Sequence, residues 1–167
     1  RIIDSSKLKN NNMNDIKSNF NSFLIQNPDN KIFSNKNFKV VSKKKPNQKT
    51  LNNLIFAFNV CRNVKSNGIV LSKNTTTIGI GSGQPSRLDS CKIAIKKMNK
   101  FQKINDDEIV AASDAFFPFV DGIELLVQSG VSAVIQPSGS IRDKEIINFA
   151  NQTGTILIFS NTRHFKH

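Results

Sequence analysis

Glu108-Ile-Val-Ala-Ala-Ser-Asp-Ala-Phe-Phe-Pro-Phe-Val-Asp-Gly-Ile-Glu124 decides the fold. Its first five residues, apolar after Glu108, read as a buried strand. Ser113-Asp-Ala-Phe-Phe-Pro-Phe119 then supplies turn-forming and polar residues, and Asp121-Gly-Ile-Glu124 reads as the cap of a helix. A buried strand passing through a polar edge into a helix is the building unit of an α/β domain. Ligands of open α/β sheets bind in the crevice beyond the carboxyl ends of the strands.

Two more such edges flank this one: Gly79-Ile-Gly-Ser-Gly-Gln-Pro-Ser-Arg87 before it and Gln136-Pro-Ser-Gly-Ser-Ile-Arg-Asp143 after it. Working outward, Phe38-Lys-Val-Val-Ser42 reads as a strand. Leu51, Leu54, Ile55, Phe58, Cys61 and Val64 recur at helical spacing and predict an amphipathic helix over 49–64. Segments 68–72 and 75–80 predict a hairpin turning at Lys73-Asn74. Ser86-Arg-Leu-Asp89 reads as a capping-box variant opening a helix through Ile93 and Met98. Residues 131–136 form a strand, Ser140-Ile-Arg-Asp143 a cap, 144–152 a helix, and Thr155-Ile-Leu-Ile-Phe159 a last strand. The predicted order is β-α-β-β-α-β-α-β-α-β, a layered α/β/α domain with a mixed sheet over 38–167. Residues 1–37 are polar and rich in Asn and Lys, and read as a loosely ordered lead-in whose only local apolar cluster is Phe20, Phe23, Leu24 and Ile25.

A chain of 167 residues with 38% hydrophobic content can bury one real core. No apolar run approaches a membrane span, and no signal-like apolar segment opens the chain. Residue 1 is Arg, so a processed chain or a piece of a longer one is expected. Cys61 and Cys91 lack zinc spacing and the density of a disulfide scaffold, which points to a reduced, cytoplasmic setting. The net charge of +12 invites a nucleic-acid reading. Against it, the excess is mostly Lys and travels with Asn, as an A/T-biased genome would produce, and no aromatics are interleaved with the basic residues. The same charge would attract an anionic small substrate.

The motifs leave alternatives open. Gly79-x-Gly81-x-Gly83 is neither a Walker loop nor a dinucleotide fingerprint. It reads equally as a tight strand-to-helix turn or as backbone that approaches a ligand ahead of a helix N-terminus. Phe116-Phe117-Pro118-Phe119 suits the core, or a rigid apolar wall for a flat ligand with Asp114 and Asp121 as polar handles. Asn67 suits a turn. Arg87, Arg142 and Arg163 have forks that match phosphate and carboxylate. His164 and His167, at the chain end, are expected in solvent, and nothing supplies a Ser/His/Asp triad.

Taken in order, Val64-Lys-Ser-Asn-Gly-Ile-Val70, Thr77-Ile-Gly-Ile-Gly-Ser-Gly-Gln-Pro-Ser-Arg87, Ala112-Ser-Asp-Ala-Phe-Phe-Pro-Phe-Val-Asp-Gly-Ile123, Val134-Ile-Gln-Pro-Ser-Gly-Ser-Ile-Arg-Asp143 and Arg163-His-Phe-Lys-His167 resemble the C-terminal part of the AICAR formyltransferase/IMP cyclohydrolase family. The resemblance implies a cytidine-deaminase-like subdomain without zinc, because the deaminase H-x-E and P-C-x-x-C signature is absent. It implies transfer of a formyl group from 10-formyltetrahydrofolate to the amine of AICAR, with the cyclohydrolase on a separate N-terminal domain. Residue by residue, Asn67 resembles an amide at the reacting centre, and Arg87 and Arg163 resemble arginines that hold AICAR. Phe116 resembles the aromatic beside the imidazole, and Pro118, Phe119 and Asp121 the folate-side wall. Asp114 resembles a residue that helps hold a structural potassium ion. Ser82, Pro85 and Lys166 depart mildly from the family pattern. The family's Lys-His pair, whose His is the expected general base, lies upstream of Arg1, so this chain alone is expected to be an incomplete catalyst. The resemblance further implies a homodimer and reliance on the upstream half of the same enzyme.

Two other readings stand beside it. One is a non-catalytic purine- or folate-binding module, or a subunit of a split enzyme. The other is a basic nucleic-acid-binding domain, disfavoured by the composition above. No nucleic-acid or membrane partner is expected.

Overall fold

The computed structural model describes residues 14–29, 32–34, 38–101 and 108–166. His167 and much of the expected lead-in lie outside the described residues. Contacts divide the chain into two compact units, Arg1–Lys31 and Ile32–His167. In the first, β1 (Asp15–Asn19) and β2 (Ser22–Gln26) pair as an antiparallel hairpin, where the sequence reading had placed no strand.

The second unit follows the predicted element order. It contains β3 (Phe38–Val40), α1 (Gln48–Cys61), β4 (Ile69–Lys73), β5 (Thr76–Gly81), α2 (Arg87–Phe101), β6 (Ile109–Ser113), α3 (Val120–Gln128), β7 (Val131–Pro137), α4 (Asp143–Gln152) and β8 (Ile156–Ser160). The sheet order is β3-β8-β7-β6-β4-β5. Strands β6, β7 and β8 run parallel, and the other neighbours pair antiparallel.

Alternation along the strands feeds two separate cores. Val70, Val110, Ala112, Ile135 and Ile158 face one side, where they meet Leu54, Ala57, Phe58 and Cys61 of α1, together with Phe33. Ile69, Leu71, Ile109, Ala111, Val134 and Leu157 face the other, against α2, α3 and α4 through Cys91, Met98, Ile123, Leu126, Ile146 and Ala150. Both faces of the central strands are therefore covered, which is why they read as unbroken apolar runs. Phe58 is fully buried, and burial of such a side chain stabilises the fold by about 1.5–3 kcal/mol.

Local differences have local causes. Helix α1 starts when the Asn47 side chain accepts the Thr50 N–H at 2.8 Å, and it ends at Cys61, short of the predicted Val64. The β4–β5 turn falls on Asn74-Thr75, with φ of 49° and 53°, one residue beyond the predicted Lys73-Asn74. Two positive φ values suit a hairpin whose strands twist right-handedly, and Asn53 Oδ1 holds this turn by accepting the Thr75 N–H at 3.1 Å. Two expected caps work differently. Asp121 lies inside the first turn of α3, whose N-cap is Phe119. Asp143 begins α4 and accepts the backbone N–H groups of Gly139 and Ser140 at 2.8 and 3.2 Å, stapling the preceding loop. No described helix is long and apolar enough to cross a membrane.

Candidate functional site

Antiparallel pairing of β4 with β6 and β5 places the start of β4 beside the carboxyl ends of β5 and β6, since Ile69 pairs with both Gly81 and Ser113. The parallel strands β7 and β8 end at the same edge. All three polar edges of the sequence, the Asn67 turn and the terminal segment thus converge on one rim of the sheet.

At its centre lies a buried ion pair. Arg87 is the first residue of α2, and its side chain is 11% exposed; its Nη2 donates to Asp114 Oδ1 at 2.9 Å, and the Asp114 side chain is 1% exposed. The same Nη2 donates to Asn67 Oδ1 at 2.9 Å, Nε to Ser113 Oγ at 3.0 Å, and Nη1 to the Phe116 carbonyl at 3.2 Å. A guanidinium has five N–H groups. Four are used here, and one on Nη1 keeps no acceptor among the described residues. Asp114 Oδ2 accepts the Gly68 N–H at 2.9 Å, and its backbone carbonyl accepts the His164 N–H at 3.0 Å. One residue therefore ties together the Asn67 turn and the start of α2 through its carboxylate, and the terminal segment through its backbone carbonyl.

Asn67 is a brace within this network. Its Nδ2 donates to the carbonyls of Gln84 at 2.9 Å and Pro85 at 3.1 Å, while its own carbonyl accepts the Ser90 hydroxyl at 2.7 Å. Its peptide bond to Ser66 is cis. The turn is further stitched by Gly83 N–H to the Lys65 carbonyl at 2.8 Å and Ser66 N–H to the Lys166 carbonyl at 2.9 Å.

The aromatic run divides between the two roles open to it. Phe117 is core, 1% exposed, and its N–H is accepted by the buried Gln136 Oε1 at 3.2 Å. Pro118 and Phe119 project as a wall, with Phe119 51% exposed. On one side of this wall lies a cleft of about 410 Å³ that takes in Asn67, Arg87, Pro118, Phe119 and Asp121. On the other side, Phe116, Pro118 and Phe119 share a second cleft of about 380 Å³ with Gly139, Ile141 and Arg142. The Arg142 guanidinium lies 4.7 Å from the Phe119 ring centre, and that of Arg163 lies 5.0 Å from the Phe116 ring centre. Arg163 lines neither cleft; its Nη2 donates to the Ser138 carbonyl at 3.3 Å.

The glycine motif resolves toward packing. A Cβ on Gly79 or Gly81 would overlap the carbonyl of Ala94 or Ser90, so these two glycines let β5 and α2 meet closely. His164 is a correction to the expectation of a solvated chain end: it is 1% exposed, with its ring 4.6 Å from that of Phe58. Asp114, expected near a structural potassium ion, lies at the centre of this network, with Oδ1 accepting from Arg87 and Oδ2 from the Gly68 N–H. Sequence reasoning missed the Arg87–Asp114 pair, although an acidic residue directly behind a buried strand is itself a signal, since buried charge needs a partner. Ser113 and Gln136 carried no such signal.

Both cysteines are buried. Burial pushes the Cys91 thiol up to about 12, against the opposing pull of Arg87. Burial also raises Cys61 well above the usual thiol range, with the Asp114 carboxylate adding to the effect.

The family model of the AICARFT/IMPCHase bienzyme matches residues 1–97. Among curated relatives, the bifunctional purine biosynthesis protein PurH of Buchnera aphidicola subsp. Baizongia pistaciae is 48% identical over 153 residues, covering 92% of this chain and 29% of the relative. PurH of Bartonella bacilliformis is 45% identical over 151 residues, covering 86% and 28%. PurH of Persephonella marina is 44% identical over 144 residues, covering 86% and 27%. The chain spans under a third of the length of these relatives.

Proposed function

Because the chain belongs to the AICARFT/IMPCHase bienzyme family, we propose that it carries one side of the formyl-transfer site of a longer, bifunctional enzyme of purine biosynthesis. The reaction is transfer of the formyl group of 10-formyltetrahydrofolate to the amine of AICAR, and closure of the product to IMP belongs to another part of the full-length chain. The observation that carries this reading is the cleft between the locked Arg87 guanidinium and the Pro118–Phe119–Asp121 wall. A flat, charged heterocycle needs an apolar face and a few fixed polar groups, and this cleft supplies both. The layered α/β/α arrangement with its mixed sheet supports reading the second unit as cytidine-deaminase-like.

Within this reading the amine attacks the formyl carbon, charge builds on the formyl oxygen and the amine sheds a proton. The intermediate then collapses, breaking the bond between the formyl carbon and the folate nitrogen, which takes up a proton and leaves as tetrahydrofolate. Arg87, already fixed by four hydrogen bonds, keeps one Nη1 N–H for substrate, and a preorganised donor costs no reorganisation when charge develops. Asn67 holds that guanidinium in place. For its own amide to reach the reacting oxygen, the Gln84–Pro85 carbonyls would have to release it. Phe119 and Pro118 supply the apolar face for the folate and Asp121 an acceptor for its pterin, while Arg163 and Phe116 form the AICAR side. Neither histidine of this chain is placed as the general base: His164 is buried against Phe58, and His167 lies outside the described residues. In this reading the base comes from the rest of the full-length chain.

Calorimetric titration of the full-length protein with AICAR and with a non-reactive folate tests the division of the site. Phe119→Ala and Asp121→Asn are expected to weaken folate binding by about tenfold or more while leaving AICAR binding within about twofold, the loss of one good contact being worth about 1–2 kcal/mol. Unchanged folate affinity in both variants would remove the folate from this wall.

A further inference from the structure

The β1–β2 hairpin has two unlike faces. Ile16 lies directly opposite Ile25, and Ser18 opposite Phe23. Side chains alternate along a strand, so Ile16, Phe23 and Ile25 share one face. The opposite face carries Asp15, Lys17, Asn19, Ser22, Leu24 and Gln26. This is the alternation of a sheet with one wet and one covered side. Nothing covers it among the described residues: Ile16 is 63% exposed, Phe23 71% and Ile25 61%, with Phe20 at the turn fully exposed. Among the described residues β1 and β2 pair only with each other. A lone two-stranded hairpin is marginally stable in water and gains independent stability from further strands or a packed helix.

We infer that the Ile16–Phe23–Ile25 face is an interface for the remainder of the full-length family chain, which lays an apolar sheet or helix surface on it. Three observations converge on this occupant. The hairpin belongs to a unit distinct from Ile32–His167 by its contacts. One face carries Ile16, Phe23 and Ile25 beside Ser18 and the other is polar but for Leu24, so one side is built for burial. The curated relatives extend over more than three times the matched length, so chain is available to supply the cover. The residues then serve to dock this segment onto the part of the enzyme that holds its missing groups. The inference rests on family membership and not on the formyl-transfer reading, and its test measures no turnover.

The test compares amide hydrogen exchange over 15–26 in the 167-residue chain with exchange over the matching residues of full-length PurH from Buchnera aphidicola subsp. Baizongia pistaciae. The match to that relative covers too much of this chain to leave the hairpin out. Exchange is expected to be fast in the 167-residue chain and at least ~100-fold slower in the full-length relative, as for backbone that opens only with larger units. Equal rates in the two proteins would overturn the inference. Sedimentation of the 167-residue chain gives the second arm: its oligomeric state is expected to be the same with and without substitution of this face. A dimer abolished by the triple substitution Ile16→Ser, Phe23→Ser, Ile25→Ser would assign the face to a second copy and overturn it too.

Discussion

Asp114 shows how much one buried carboxylate can organise. Its oxygens fix Arg87 and the Gly68 N–H, and its main chain fixes His164. Removing one partner of a buried pair strands the other charge, so Asp114→Ala should lower the stability of the 167-residue chain by about 3–5 kcal/mol in urea unfolding. Asp114→Asn, which keeps an acceptor for one of the two donors, should lose less. Equal losses would mean that the charge, which both variants remove, matters there and the retained acceptor does not. The thiols give a pH signature. An unfolded thiol ionises near about 8.5, whereas folded Cys91 does so near about 12. Between these values the unfolded state holds fewer protons, so stability falls as pH rises, by about 1.4 kcal/mol per pH unit for this thiol. Below pH 8 it contributes no slope. Thermal unfolding from pH 7 to 11, with Cys91→Ala as control, should show a steeper decline in the wild type. At this scale the sequence showed which residue types gather at the site, but not that Arg87 and Asp114 pair or that His164 is buried. Those contacts join positions far apart in the chain, and no local pattern encodes them.

Elements of the second unit were legible because each central strand is buried on both faces and each helix has one apolar stripe. Boundaries were less so: the cap residues Asn47 and Phe119 and the Asn74-Thr75 turn are set by contacts such as the one from Asn53. The hairpin at 15–26 escaped notice because its polar residues matched the surrounding Asn- and Lys-rich composition. Packing of α2 on β5 leaves no room at Gly81, where a Cβ would overlap the Ser90 carbonyl. Gly81→Ala is therefore expected to cost about 1–3 kcal/mol through displacement of α2. The same shift would carry Arg87 away from Asn67, so stability and ligand binding should fall together. If Gly81→Ala left both unchanged, the glycine would have no packing role.

For the whole molecule, the rim of the sheet gathers basic, apolar and acidic side chains, Arg87, Phe119 and Asp121 among them, while the described histidine, His164, is buried against Phe58. That division fits a segment that positions substrates for groups supplied by the rest of a longer chain. The most direct measurement is the rate of AICAR formylation by 10-formyltetrahydrofolate in the full-length protein, wild type against Asn67→Ala. This substitution spares both partners of the Arg87–Asp114 pair and removes the brace on the guanidinium together with the Nδ2 bonds to the Gln84 and Pro85 carbonyls. The expected result is turnover in the wild type and a fall in kcat of at least ~100-fold in the variant, with KM for AICAR changed far less, as small misplacements of a catalytic group cost that much. A wild-type protein that binds both substrates without transferring the formyl group, or an Asn67→Ala variant that keeps the wild-type rate, would contradict it.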